Sequence, residues 1–264
     1  MYLTIDIGAT KTLVALMDDR PHITHSIRFA TPVDQNNFFD TLITQIRTHF
    51  PTAKPTAISV AVPGPVANHQ FLWLGNLPWS NFDLRKKLTK LWKVPVFLEN
   101  DANLAGLAEA QHLPGTTIYL TFSTGIGGSV IIDGHIDPAH PNFEPGHTTF
   151  DYNGQTLEWE DFASARAIAK AFGKYTDQIT KKSDWIQISC RIATGLRPII
   201  CDLCPDQIIF GGPLGLALKK FQKPLEKQLS VCLPRCIKPP QLRIAKYKHE
   251  SVLYGCYLFA KAQL

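Results

Sequence analysis

Tyr2-Leu3-Thr4-Ile5-Asp6-Ile7-Gly8-Ala9-Thr10-Lys11-Thr12-Leu13-Val14-Ala15-Leu16-Met17 opens the chain, and its grammar returns at Thr117-Ile118-Tyr119-Leu120-Thr121-Phe122-Ser123-Thr124-Gly125-Ile126-Gly127-Gly128-Ser129-Val130-Ile131-Ile132. Each stretch is an apolar, β-branched run, then a turn of small and hydroxylated residues, then a second apolar run. That pattern predicts a β-hairpin in each half of the chain. Two halves built around the same hairpin are suited to close on a ligand between them.

The spacing predicts further elements outward from these hairpins. His22–Ala30 reads as a third strand, and Phe38, Leu42, Ile46 and Phe50 recur as one helical face ending at Pro51. Ala57–Val62 and Val94–Leu98 read as buried strands, and Leu84–Trp92 and Ala102–Gln111 as helices. In the second half, a helix is expected over Phe162–Phe172 and a long one from Trp185 to Leu203, kinked at Gly195 and Pro198. Gln207–Phe210 reads as a strand and Ser251–Ala262 as a closing helix. Alternation of strands and helices indicates an α/β fold. Leu113-Pro114-Gly115 punctuates the chain, so domains are expected at 1–113 and 114–264, with the last helix packing back on the first.

Composition limits the function classes. The chain has 264 residues, 45% hydrophobic and 19% charged, with 27 Lys+Arg against 22 Asp+Glu. That is long enough for a core without disulfides and too apolar for disorder. No run approaches the ~20 apolar residues of a membrane span, and the start lacks a basic segment leading into an apolar core. A cytoplasmic protein is expected. A formal charge of +5 without a basic cluster suits anionic small molecules and does not point to nucleic acid. The six cysteines, at 190, 201, 204, 232, 236 and 256, are expected to be reduced thiols. Cys201 and Cys204 form a C-x-x-C pair, but the second pair is loosely spaced for zinc.

Several segments carry candidate chemistry. In Asp6–Thr12, Gly8 and Ala9 allow backbone N–H groups to approach a phosphate, while Thr10, Lys11 and Thr12 add donors and charge. Asp6 is placed to hold Mg²⁺ through water. Thr124, Gly125 and Gly127 offer a second cradle, and Gly211-Gly212 follows an apolar strand where a nucleotide would lie against the backbone. Asp101 stands where a strand meets a helix, a place for either a cap or a general base. Glu144 and His147 lie three residues apart in a Pro/Gly-rich loop, and Glu160 starts a helix further on.

Taken in order, these segments resemble the ROK family, a sugar-kinase branch of the actin-like, ribonuclease-H-related ATPases. Asp6–Thr12 is similar to the family's D-x-G-G-T-K, with Ala9 in place of the second glycine. Val62-Pro63-Gly64-Pro65-Val66, Asn76-Leu77-Pro78-Trp79, Asn100–Glu109, Thr124–Gly128, Glu144-Pro145-Gly146-His147, Glu160–Ser164 and Pro205–Gly212 match its other segments. The resemblance implies two ribonuclease-H-like domains with a central interdomain cleft, and phosphorylation of a hexose by ATP with Mg²⁺, glucose being the first candidate. It implies Asp101 as catalytic base, and Asn76, Asn100, Asp101, Glu144, His147 and Glu160 as sugar contacts. Asp6, Gly8, Thr10, Lys11, Thr12, Thr124, Gly125, Gly127, Gly211 and Gly212 would hold nucleotide and metal. A homodimer is plausible by the same resemblance.

Two departures stand out. The family's C-x-C-G-x-x-G-C ahead of its E-x-Y-A-S segment is replaced by Asp151–Glu158, without cysteine, so no structural zinc is expected. The approach to Glu144 reads His140-Pro141-Asn142-Phe143, which bears on the identity of the sugar. The family's repressors carry a DNA-binding helix-turn-helix ahead of the first loop. Only five residues precede Asp6, so a regulator is not expected.

Overall fold

A computed structural model describes residues 1–75 and 77–264. Asn76, one of the expected sugar contacts, lies outside the described residues. The chain forms two compact units, Met1–Ala108 with Glu250–Leu264, and Glu109–His249.

The first unit contains β1 (Tyr2–Ile7), β2 (Lys11–Met17), β3 (Ile23–Ala30), α1 (Gln35–His49), β4 (Ala57–Val62), the short β5 (Val66–Ala67) and β6 (Gln70–Phe71), α2 (Leu84–Trp92), β7 (Val96–Asn100), most of α3 (Asp101–Ala110) and α9 (Ser251–Ala262). Its main sheet has the order β3-β2-β1-β4-β7. The β1–β2–β3 meander is antiparallel, while β1–β4 and β4–β7 are parallel. Every residue of β4 is buried, as expected for a parallel strand covered on both faces. Leu3, Ile5, Ile7, Phe38, Leu42, Ile58 and Val60 share one core cluster, and α9 packs on β1 and β4 through Tyr257, Cys256 and Ala260. The strand expected at Val94 begins instead at Val96, two residues later, because Pro95 has no N–H for a ladder.

The second unit runs β8 (Thr116–Phe122), β9 (Ile126–Ile132), β10 (His135–Ile136), β11 (Thr149–Tyr152), β12 (Gln155–Glu158), α4 (Trp159–Ala163), α5 (Ala165–Phe172), α6 (Lys182–Leu203), β13 (Gln207–Gly211), α7 (Gly212–Gly215), α8 (Leu218–Cys232) and β14 (Gln241–Ile244). Its sheet, β10-β9-β8-β13-β14, repeats the first: an antiparallel hairpin beside parallel strands. Two sheets of five strands with helices make this a mixed α/β fold.

One helix expectation needs correction. Phe162–Phe172 is not one helix. Ser164 is extended (φ −66°, ψ 161°) and its Oγ accepts from Ala167 N–H at 3.1 Å, so it starts α5 and separates it from α4. The long helix expected from Trp185 to Leu203 is present as α6, which runs through Gly195 and Pro198. Gly195 serves packing: a Cβ there would overlap the fully buried Trp159 ring. Among the described residues, no helix is long and apolar enough to cross a membrane.

Candidate active site

In the first unit, the turn between β1 and β2 is held from behind by Thr31. Its N–H donates to Thr10 O (3.1 Å) and its hydroxyl donates to Gly8 O (2.8 Å). That leaves Thr31 Oγ1 to accept from the Thr12 hydroxyl, 2.9 Å away. Thr12 is completely buried, so it braces the turn and does not present its hydroxyl to a ligand, contrary to the sequence expectation. Thr10 and Lys11 are exposed at the tip, and Gly8 donates its N–H to Lys11 O at 3.0 Å. Asp6, half-buried at the end of β1, has its carboxyl pushed up to about 6 by burial, which outweighs the opposing pull of Arg28. Arg28 is two strands away, across Leu13.

The β7–α3 junction carries Asn100 and Asp101. Asn100 Oδ1 accepts from Ala102 N–H (2.8 Å) and Asn103 N–H (3.0 Å), capping α3, and its Nδ2 donates to Gly64 O (3.1 Å). The buried Asn100 therefore ties helix to turn. Asp101 follows, half-buried in the first turn of α3, with Oδ1 accepting from Ala102 N–H at 2.8 Å. Glu99 lies alongside: Oε1 accepts from Asn100 N–H and Asn103 Nδ2, while burial raises its pKa.

In the second unit, Glu160 links the polar loop to the glycine turn. Its Oε2 accepts from Ile126 N–H at 3.1 Å, and a Cβ on either Gly125 or Gly146 would crowd its carboxylate. Gly125 and Gly146 thus make room for Glu160, and through it the Ser123–Gly128 turn and the Glu144–His147 segment meet. That segment closes with a single 3-10 turn, Pro145–His147. Burial raises the Glu144 pKa, and His147 is raised chiefly by its hydrogen bond to Glu158. Glu144, His147 and Glu160 form one polar cluster, and Arg166 Nη2 stands 3.9 Å from Glu160.

A cavity of about 740 Å³ adjoins the same turn, lined by Ser123, Thr124, Ala165, Arg166, Tyr175, Asp177 and Pro213 among others. Its mainly apolar wall and few polar groups suit a small organic ligand. Arg166, Tyr175 and Asp177 belong to no motif legible in the sequence. Gly211 and Gly212 border this region for internal reasons. A Cβ on Gly211 would meet the Tyr119 hydroxyl, and Gly212 has φ +71° with its Cβ position 2.5 Å from Phe122 O. A second cavity of about 590 Å³ is lined by His69, Phe71, Trp79 and Arg85 among others, and by none of the expected site residues among those described.

Residues 2–263 match the ROK family. The chain belongs to that family. Among its ROK relatives, the Xylose repressor of Bacillus subtilis (strain 168) is 34% identical over 151 residues, half of this chain. The match spans 39% of the repressor, well under two thirds of its length. An N-acetylmannosamine kinase of Escherichia coli O1:K1 / APEC is 27% identical over 99% of both chains. The fold is that of a ROK glucokinase from Streptomyces griseus, solved with glucose and AMPPNP, at TM-score 0.80 and 22% identity over 98% of this chain and 99% of that one.

The donors present do not fit the zinc site that the ROK resemblance implies. Where the family pattern would put three thiolates stand Asp151, Asn153 and Glu158, two carboxylates and an amide. Among the described residues, the one group of three or more possible donors within 4.8 Å is His147, Glu158 and Glu160, with no sulfur in it. Asp6 is different. A carboxylate whose ionisation is penalised by burial is short of positive charge, which fits a hard cation held through water.

Proposed function

We propose that this ROK protein is an ATP-dependent sugar kinase that transfers a phosphoryl group to a hexose hydroxyl, with glucose the first acceptor to test. The observation that carries the reading is the Glu160–Ile126 hydrogen bond of 3.1 Å. It joins a cluster able to bind sugar hydroxyls, Glu144, His147 and Glu160, to a glycine turn able to receive phosphates. The neighbouring 740 Å³ cavity is of a size for a nucleoside, with Tyr175 available to a base and Asp177 to ribose hydroxyls. The relatives named kinases and the glucokinase solved with glucose and AMPPNP support the same reading.

In this reading Asp101 accepts the proton of the attacking hydroxyl as its oxygen bonds to the γ-phosphorus. The bond to the ADP oxygen breaks, leaving a sugar phosphate and ADP. Phosphoryl transfer asks for alignment and charge neutralisation more than covalent help. Mg²⁺ would supply neutralising charge on the phosphates, held through water by Asp6. Exposed Lys11 and Thr10, the N–H groups of Gly125 and Gly127, and the backbone close to Gly8 and Gly211-Gly212 would receive the nucleotide. Asn100 keeps Asp101 in register by capping α3.

Fructose, mannose and N-acetylmannosamine are the other acceptors for the panel, and a sugar sensor without turnover is the alternative class. ADP release with Mg·ATP across these hexoses, for the native protein and Asp101→Asn, decides between them. Turnover with at least one sugar and its loss by about 100-fold or more in Asp101→Asn is expected. Sugar binding without turnover for any hexose sinks the kinase reading in favour of the sensor.

A further inference from the structure

We propose that Glu158 is a positioning residue for sugar binding: it fixes the ring orientation and tautomer of His147, the task that a metal ion would otherwise perform at this corner. The inference rests on the reading of His147 as a sugar contact. It starts from the mismatch between the donors present and a thiolate zinc site.

The geometry is specific. His147 Nδ1 and Glu158 Oε2 are 2.9 Å apart. A carboxylate accepts and does not donate, so Nδ1 carries the hydrogen and Nε2 is left as the free nitrogen of the neutral ring. Glu158 is itself anchored on both sides. Thr149 faces it in the β11–β12 ladder, and its N–H donates to Asp161 Oδ2 at 3.2 Å at the start of α4. The next residue, Trp159, is buried, with N–H donating to Thr148 O (2.9 Å) and indole Nε1 donating to Arg191 O (3.1 Å). His147 ends a single 3-10 turn, its N–H donating to Glu144 O at 3.3 Å. Among the described residues the bond to Glu158 is the one hydrogen bond that its half-exposed ring makes, so the ring takes its orientation from Glu158. Around metal-bound histidines, removing the partner that orients the imidazole typically costs about 10–100-fold in affinity or activity, and a ring that contacts a sugar needs the same orientation.

The charges around His147 come from three segments: Glu144 on the loop before it, Glu158 on β12 and Glu160 on α4. Arg166 on α5 lies against Glu160 rather than His147. All three carboxylates favour the imidazolium, and Glu158 is the one in hydrogen-bond contact.

Three proteins test this: the native chain, Glu158→Gln and Glu158→Ala, each first checked for an unchanged melting temperature. The amide of Glu158→Gln still accepts from Nδ1–H but carries no charge. Nitrogen-detected NMR of the His147 ring reads tautomer and titration whether or not the protein is a kinase. The native ring should be Nδ1–H when neutral. Glu158→Gln should keep that tautomer while titrating at lower pH, and Glu158→Ala should lose the preference. Equilibrium binding of the best hexose should weaken by about tenfold in Glu158→Ala and by much less in Glu158→Gln, with nucleotide affinity unchanged. In turnover, the effect should fall on the sugar KM rather than on kcat. An unchanged tautomer in Glu158→Ala overturns the proposal. So does a native tautomer or sugar affinity that changes on adding EDTA or Zn²⁺, which would assign the role to a metal. An oriented ring with no sugar binding in any variant would leave the Glu158–His147 pairing standing and overturn its role in binding, together with the reading of His147 as a sugar contact.

Discussion

The two glycine-containing hairpin turns look alike in sequence and are supported in different ways. The turn after β1 is braced from behind by a hydroxyl pair, Thr12 and Thr31, which leaves Thr10 and Lys11 at its exposed tip. The turn after β8 is braced from the front by Glu160, through the Ile126 N–H. In the first, the support is structural and the working groups are separate. In the second, one carboxylate does both tasks. A substitution of Thr12 or Thr31 should therefore act on stability and one of Thr10 or Lys11 on function, whereas one near the second turn should couple the two.

The largest expected effect lies beside the second turn. Gly212→Ala combines a left-handed φ of +71° with an overlap against the Phe122 backbone, which no side-chain rotation relieves. A loss of about 3 kcal/mol or more is expected, read as a fall in denaturation midpoint at unchanged slope.

Asp6→Asn at the first turn should stabilise the protein. The raised folded pKa means the native state binds the extra proton between about 4 and 6. The folded state is thus favoured at low pH, and that advantage is lost as pH rises through about 6. Removing the charge should raise stability at pH 7.5 by on the order of 2 kcal/mol, after allowance for partial contact with solvent, and change little at pH 3.5. The same variant should lose Mg²⁺-dependent turnover. Equal melting temperatures at pH 7.5 would refute the assignment of a charge-poor site.

Gly125→Ala should show the coupling directly. The new methyl displaces the end of a flexible side chain, so stability should fall by only about 1 kcal/mol for the broken Ile126 hydrogen bond. Sugar affinity should fall by about tenfold, because Glu160 leaves its place. The smallest effect belongs to Asn100→Ala, which removes the α3 cap and should cost about 1 kcal/mol in thermal or denaturant unfolding.

These contrasts also explain what could be read from the sequence. The hairpins, the parallel strands and the closing helix were legible because apolar periodicity records burial, and β4 and β1 are buried almost throughout. The Asn100 cap was not legible: the sequence offers a cap at Asp101, whereas Asn100 Oδ1 accepts the α3 N–H groups. Ser164 was read as part of a helix because a capping serine inside an apolar run does not disturb the period. The family resemblance brings Glu158 and His147 to one corner, but their direct hydrogen bond is not legible from the spacing: eleven residues separate the two, and the β11–β12 ladder closes the distance. Thr12 was taken for a phosphate contact because its burial depends on Thr31, on another strand's end.

The most direct test of the account is ADP release on adding hexose to protein with Mg·ATP, with sugar binding measured by calorimetry on the same samples. The account predicts sugar-dependent ADP formation that Asp101→Asn reduces by about 100-fold or more while sugar affinity stays within a few-fold. A native protein that binds hexose and releases no ADP, or an Asp101→Asn variant that turns over normally, would contradict it.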